Sequence, residues 1–440
     1  MSKDADVLVI GAGAAGLAAA RTLADEGVAV TVLEARSRVG GRCWTSYDLA
    51  RHPVELGAEF IHGENVATWR YIERYGLHTI DPTPLMNVRA WRDGRMLEQA
   101  DFLRAPNTRL AWTMHNLAHT WMAEGKADVS IAEAARATPD FFDRPPGDED
   151  LRLWSAQVGG YYGAEPDELG VAGMLEATYD GDGEKLQFRI VEGYSALWDR
   201  VAEGLDVALN TPVTEIVRGD DGITARTPDG DRRARCAIVT LPLALLQADA
   251  IRFTPALPPA KRRAIDGLGS GQIAKIILRF ATAAWPDDLS FAFTTDDCQF
   301  FWRPGRGRED EDAVITAFIG GHAVGRMRNR GESIYTEAAA QLARMLGTEA
   351  PVEARRFVDW PSDPWSRMGY SFNPPGAPGL RAVLAEPIDS RLYFAGEACN
   401  PVRPATVHGA IESGLRAAEQ ILATGTASSS NGRPRKGFQR

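Results

Sequence analysis

The chain opens on a run of apolar, β-branched residues, Val7 to Ile10, with no polar alternation. Such a run predicts a strand. It meets Gly11, Gly13 and Gly16, and the Ala-rich stretch to about Glu26 predicts a helix. Gly27 ends that helix, and Val28 to Leu33 predicts a second apolar strand that stops on Glu34. From about 95 to 200 the apolar spacing is mostly helical, with a loop at Pro145-Pro146-Gly147. Asp206 to Val217 alternates as one strand, and Gly222 to Arg226 and Ala234 to Leu241 continue as strands joined by Asp-Gly turns. Ile273 to Phe280 and Ala313 to Ile319 are further strands, and Glu332 to Leu346 is an amphipathic helix. Leu392 to Ala395 is a last apolar strand running into Gly396-Glu397, and Gly409 to Leu422 is the last helix. The tail after Thr424 is rich in Ser, Gly and Arg, a composition that predicts disorder.

Strand, glycine turn, helix, strand, acid is the order that a dinucleotide needs. Gly11 permits the turn, Gly13 lets backbone approach a pyrophosphate, and Gly16 lets the helix pack close to the sheet. Ala14 and Ala15 open the helix, whose free N–H groups and positive end face the phosphates. Glu34 is placed to accept from the adenosine ribose hydroxyls, and a carboxylate there disfavours a 2′-phosphate.

Composition narrows the class. At 440 residues the chain suggests two domains, and 44% apolar with 25% charged residues is ordinary for a globular protein. The net charge of −10 argues against a nucleic-acid partner. No apolar run is long enough for a membrane span, and Met1 to Asp4 leaves no room for a signal peptide, so a cytoplasmic location is expected. Cys43, Cys236, Cys298 and Cys399 form no paired motif and read as reduced thiols. His115 and His119 share a helix face without a third ligand, so no metal is expected.

The segment after Glu34 separates NAD from FAD. Ala35-Arg36 leads to Arg38-Val39-Gly40-Gly41-Arg42, a second glycine loop and a cation with no role in the simple NAD motif. A further motif is Leu56-Gly57-Ala58-Glu59-Phe60-Ile61-His62-Gly63. With these segments the chain resembles the flavin amine oxidase family of monoamine oxidases, polyamine oxidases and flavin-dependent histone demethylases. The resemblance runs from about residue 5 to residue 423 and is least specific from 95 to 190. It implies an α/β fold, with a Rossmann-like FAD-binding domain (a GR2-type flavoprotein) and an inserted α+β substrate-binding domain. The FAD-binding part is expected at 1–78, 200–255 and 385–425, and the substrate-binding part at 79–199 and 256–384, with 426–440 as the disordered tail.

The resemblance also implies roles. Arg42 would contact the FAD pyrophosphate, Glu397 after Gly396 the ribityl–phosphate region, and Val213 the adenine, with Ala35, Arg36, Gly57, Ala58, Glu59 and Phe60 also among the cofactor-binding residues. The backbone at Thr406-Val407 would meet the flavin pyrimidine at a helix N-terminus. Lys275, in Gly269 to Phe280, would hold a water against flavin N5. A cation in an apolar strand is costly unless it has a partner. Tyr370 would form one wall of a substrate cage, Trp360 would pack near the flavin ring, and His62 would stand at the substrate mouth, where a purely structural histidine is the competing reading. Relatives with covalent flavin carry Cys before the cage tyrosine. Gly369 stands there, so FAD is expected to be non-covalent. Thr406 replaces the second aromatic wall of many relatives, which favours the demethylase and polyamine oxidase branch. Arg403 stands where relatives often have an aromatic residue. Beside the cage it would repel an ammonium and attract a carboxylate.

The expected activity is oxidation of an amine, with hydride transfer to flavin N5, oxygen as acceptor and hydrogen peroxide as product. An L-amino-acid oxidase using Arg403 is the alternative, and a non-redox FAD-bearing scaffold is an alternative of another class. The expected partners are a small-molecule amine and oxygen, and a homodimer is compatible with the sequence.

Overall fold

The computed structural model describes residues 5–82, 87–92, 94–104, 110–138, 148–176 and 186–425. The Pro145-Pro146-Gly147 loop and the tail after 425 lie outside the described residues.

Two sheets organise the chain. The first runs Asp206–Ala208, Val30–Leu33, Ala5–Ile10, Gly230–Val239, Gly222–Thr227, Glu215–Gly219 and Arg252–Thr254, with Leu392–Phe394 also paired to Gly230–Val239. Its centre is parallel: Val7 lies opposite Val30 on one side and Cys236 on the other. Val7 and Val9 point into one buried cluster and Leu8 and Ile10 into another. That is why the strand shows no polar alternation. Helices Ala14–Asp25 and Val407–Ala423 pack together on one face. Gly414 makes this possible, because a β-carbon there would lie 2.2 Å from the Ala15 carbonyl oxygen.

The second sheet runs Val352–Asp359, Ile273–Phe280, Val314–Gly320, Phe300–Trp302, Phe291–Phe293, Val88–Arg92 and Arg95–Leu97. Strand Ile273–Phe280 shows the period of two. Ala274, Ile276 and Leu278 pack with helix Ser333–Leu346, while Ile273 and Ile277 pack with Val54, Leu56 and Trp360. Lys275 belongs to the second set by parity and so faces the segment that carries Glu55 and Glu59.

The sequence reading needs two corrections here. Asp206 to Val217 is two strands, Asp206–Ala208 and Glu215–Gly219, on opposite sides of the first sheet. Asn210 turns the chain with φ +54°, and Pro212 has no N–H for a ladder. The second strand begins at Val30 because the Val28 N–H closes the preceding helix on the Leu23 carbonyl. The region from 95 to 200 is mostly helical as read, with Leu110–Ala123 and Tyr194–Ala202 among its helices, and carries the short strands Arg95–Leu97 and Gln187–Ile190.

Candidate active site

The glycine turn is built as its spacing predicts. Gly11 has φ +108°, and a β-carbon there would lie 2.6 Å from Thr240 Oγ1. A β-carbon on Gly16 would lie 2.0 Å from the Gly11 carbonyl oxygen. Helix Ala14–Asp25 has no side-chain cap and no acid in its first turn, which leaves its leading N–H groups for an anion. Glu34 is buried and anchored: Oε2 accepts from Ala12 N at 2.7 Å and Oε1 from Arg36 N at 2.8 Å. The second glycine loop lies against the first through a Gly13–Gly40 bridge. Arg38 folds that loop by donating to the Val39, Gly41 and Cys43 carbonyls, and its burial lowers its pKa to about 10.

Arg42 and Glu397, predicted as separate contacts to one cofactor, are an ion pair. Arg42 Nη1 donates to Glu397 Oε1 at 3.1 Å and to the Gly369 carbonyl at 2.5 Å. Glu397 also accepts from Ser371 Oγ at 2.6 Å and from Ala405 N at 3.0 Å. Burial would raise the Glu397 pKa, but Arg42, Arg381 and Ser371 outweigh it and hold the carboxyl below its ordinary value. Arg36 is tied to Asp363 through two bonds of 2.7 and 2.6 Å.

Gly11, Gly13, Glu34, Arg36, Arg42 and Glu397 line one cleft of about 1350 Å³ that also reaches Lys275, Tyr370 and His62. Nearly all the predicted cofactor residues border it: Gly11, Gly13, Ala14, Ala15, Glu34 to Arg36, Gly40 to Arg42, Gly57 to Phe60, Val213, Gly396, Glu397, Thr406 and Val407. Gly16 does not, consistent with a packing role. At its far end the cleft is walled by rings, among them Phe291, Phe300, Trp302 and Phe318. Tyr370 joins them with its hydroxyl donating to the Gly160 carbonyl at 2.8 Å. Trp360 is buried, with Nε1 donating to the Leu56 carbonyl at 3.3 Å and its ring against Trp44. His62 Nδ1 pairs with Gln187 Oε1 at 2.7 Å, and burial lowers its pKa.

Two predicted cage residues stand differently. Arg403 does not line the cleft. Its guanidinium donates to Glu412 Oε1 at 2.8 Å on the final helix. Thr406 borders the cleft, but its hydroxyl is used as a helix cap, accepting from Gly409 N and donating to the Arg403 carbonyl, both at 2.9 Å.

Lys275 has the partner that its burial demands. Nζ donates to the Glu55 carbonyl at 3.0 Å and to Glu59 Oε2 at 3.3 Å. The predicted cofactor residue Glu59 thus spends its carboxylate on protein donors, Arg189 Nε and Trp302 Nε1 included, each at 2.9 Å. Arg189 and Trp302 were missed in the sequence. Arg189 carries the signal that exposed Lys275, a cation in a short buried strand, but within the least specific region.

A nucleotide cradle that opens into a ring-lined chamber beside a buried ammonium defines a cofactor-dependent oxidoreductase. The chain matches the Flavin containing amine oxidoreductase family over residues 14–422 and belongs to it. It is 31% identical to Polyamine oxidase 2 of Arabidopsis thaliana, over 95% of this chain and 88% of the plant protein. It is 30% identical to human Lysine-specific histone demethylase 2 over 95% of this chain but only 53% of that protein, so it spans about half the demethylase's length. Cyclohexylamine Oxidase from Brevibacterium oxydans shares the fold, with a TM-score of 0.82 at 24% identity over 96% of this chain and 99% of that one. The protein is therefore by family a flavin-containing amine oxidoreductase, with a Rossmann-like dinucleotide-binding domain and a second, substrate domain, and the group it calls for is a flavin. The cleft fits that group: it exceeds the roughly 300–1,000 Å³ of a drug-sized pocket, and it joins an uncapped helix end, an anchored acid and an apolar chamber.

Proposed function

We propose that the enzyme is a polyamine-oxidase-like amine oxidase that oxidises the carbon next to an amine nitrogen and delivers the electrons to dioxygen. The carrying observation is that one cleft joins the glycine cradle to Lys275 and Tyr370. Gly13, Glu34, Arg42 and Val213 would hold FAD along one wall, non-covalently, because Gly369 offers no thiol. Bound there, FAD supplies a two-electron oxidation that takes a hydride from the amine α-carbon.

The chain's own residues do the rest. Tyr370, fixed through Gly160, gives a rigid wall against which the amine lies. The rings of the chamber exclude water and favour the neutral amine. His62 gives Nδ1–H to Gln187, which leaves Nε2 to accept a hydrogen bond from the substrate nitrogen. Lys275 Nζ would hold a water at the cleft and deliver a proton as oxygen takes two electrons and two protons to peroxide. Water then hydrolyses the imine to a carbonyl compound and an amine. The amino-acid oxidase reading loses its carrier, since Arg403 is paired outside the cleft. The division into an FAD-binding part at 1–78, 200–255 and 385–425 and a substrate-binding part between is supported by the two sheets, while Tyr194, Leu197 and Trp198 pack in the core of the first sheet and draw the boundary before 200.

The test is a peroxide-release assay on the purified yellow protein with polyamines, monoamines and amino acids side by side, followed by acid precipitation. Peroxide from amines, none from amino acids, and flavin in the supernatant is the expected outcome. No turnover of any amine would overturn the activity, and flavin in the pellet the non-covalent site.

A further inference from the structure

We propose that Glu59 is a positioning residue that fixes the charge and place of the Lys275 ammonium, with Arg189 and Trp302 holding the carboxylate in turn. The inference rests on the reading that Lys275 serves the oxygen-dependent half of the cycle.

The geometry is a convergence of separate elements. Glu59 lies just past strand Val54–Glu55, Lys275 and Trp302 come from the second sheet, and Arg189 comes from strand Gln187–Ile190. All four side chains are buried, and all four residues border the cleft. Glu59 Oε1 takes Arg189 Nε at 2.9 Å, Oε2 takes Lys275 Nζ at 3.3 Å, and Trp302 Nε1 reaches both oxygens at 2.9 Å. A carboxylate accepts at about four lone-pair positions, so Glu59 keeps little capacity for a cofactor hydroxyl. Its side chain serves the lysine.

Charge shows what that service is. The Arg189 guanidinium is permanently charged, so one carboxylate is shared by two cations. The other ionisable group beside Lys275 is Glu55, whose own carboxyl is buried and bonded to Tyr194 N and Thr45 Oγ1. The neighbours of Lys275 across the sheet, Phe318 and Val358, do not titrate. Burial lowers the Lys275 pKa, Glu59 and Glu55 raise it, and Arg189 lowers it. Without Glu59, burial and Arg189 act together and Glu55 alone opposes them. The lysine would then lose its proton at a lower pH than in the wild type.

The experiment compares wild type, Glu59→Gln, Glu59→Asp and Lys275→Met as holoenzymes. Stopped-flow reoxidation by oxygen is read against pH, with FAD content and urea unfolding alongside. Lys275→Met should bind FAD and reoxidise at least about tenfold more slowly, without the lysine's pH limb. In Glu59→Gln that limb should move down by about one pH unit or more with FAD still bound, and Glu59→Asp should move it less. A second readout is independent of turnover: Glu59→Gln and Lys275→Met combined should be clearly non-additive in unfolding. An unmoved limb in FAD-loaded Glu59→Gln, or full additivity, would overturn the positioning role. Wild-type reoxidation in Lys275→Met would instead sink the reading of the lysine, and the unfolding cycle alone would then judge the pair. Should Glu59→Gln fail to fold, Glu59→Asp carries both readouts.

Discussion

At the residue scale, Glu55 is a carboxyl whose neighbours do not cancel its burial. Its pKa is pushed up to about 7, chiefly by burial, against the bonds from Tyr194 N and Thr45 Oγ1. The folded protein therefore keeps a proton that the unfolded chain has already lost above about pH 4.5. Stability should fall as pH rises through that interval, by an amount on the order of 3 kcal/mol for this group alone. Glu55→Gln cannot ionise. Its melting temperature, followed from pH 5 to 8 beside wild type, should gain on wild type as pH rises. Parallel curves would place the titration elsewhere. The same pocket shows how far single residues were legible. Lys275 stood out because a cation in an apolar strand needs a partner. Its partner was hidden because Glu59 lies 216 positions away, in a motif assigned to the cofactor. Arg403 was misplaced because a loop residue's direction is set by its ion pair with Glu412, which no local pattern encodes.

At the scale of elements, strand Ile273–Phe280 and the segment before Tyr370 are packed too tightly for a side chain at Gly369. A β-carbon there would lie 2.4 Å from Ile273 Cγ1 and 2.6 Å from Ile273 Cβ. Gly369→Cys should therefore cost about 1–3 kcal/mol of stability through overpacking. Ile273→Ala in the same chain should relieve part of that loss. Urea midpoints for the single and double variants check this, and an unaffected single variant would refute it. Elements with a strong period were legible: Ile273–Phe280 is found where it was read, and Ser333–Leu346 within one residue. The strand from Asp206 was overextended because alternation runs on through a turn, and Asn210 and Pro212 break it by backbone conformation rather than hydropathy. The cradle was the most legible part, since glycine spacing and the terminal acid are local consequences of one turn.

At the scale of the molecule, the cleft takes walls from both sheets, from Gly11 and Thr240 on one side to Lys275 and Trp302 on the other. A ligand bound across it stabilises the two together. With free FAD about a thousandfold above its dissociation constant, the gain is about 4 kcal/mol. Apoprotein made by mild flavin removal should melt well below the holoenzyme and recover on adding FAD. Equal melting temperatures would mean that the cofactor does not bridge the halves.

The order of strands in the first sheet also governs how the protein can be made. The middle strand, Gly230–Val239, pairs with the first strand of the chain and with the last. The helix beside the glycine turn packs on the final helix. During synthesis the turn is made well before the helix that walls it. A chain that stops before Val407 therefore lacks the helix that completes this wall and leaves the cradle open.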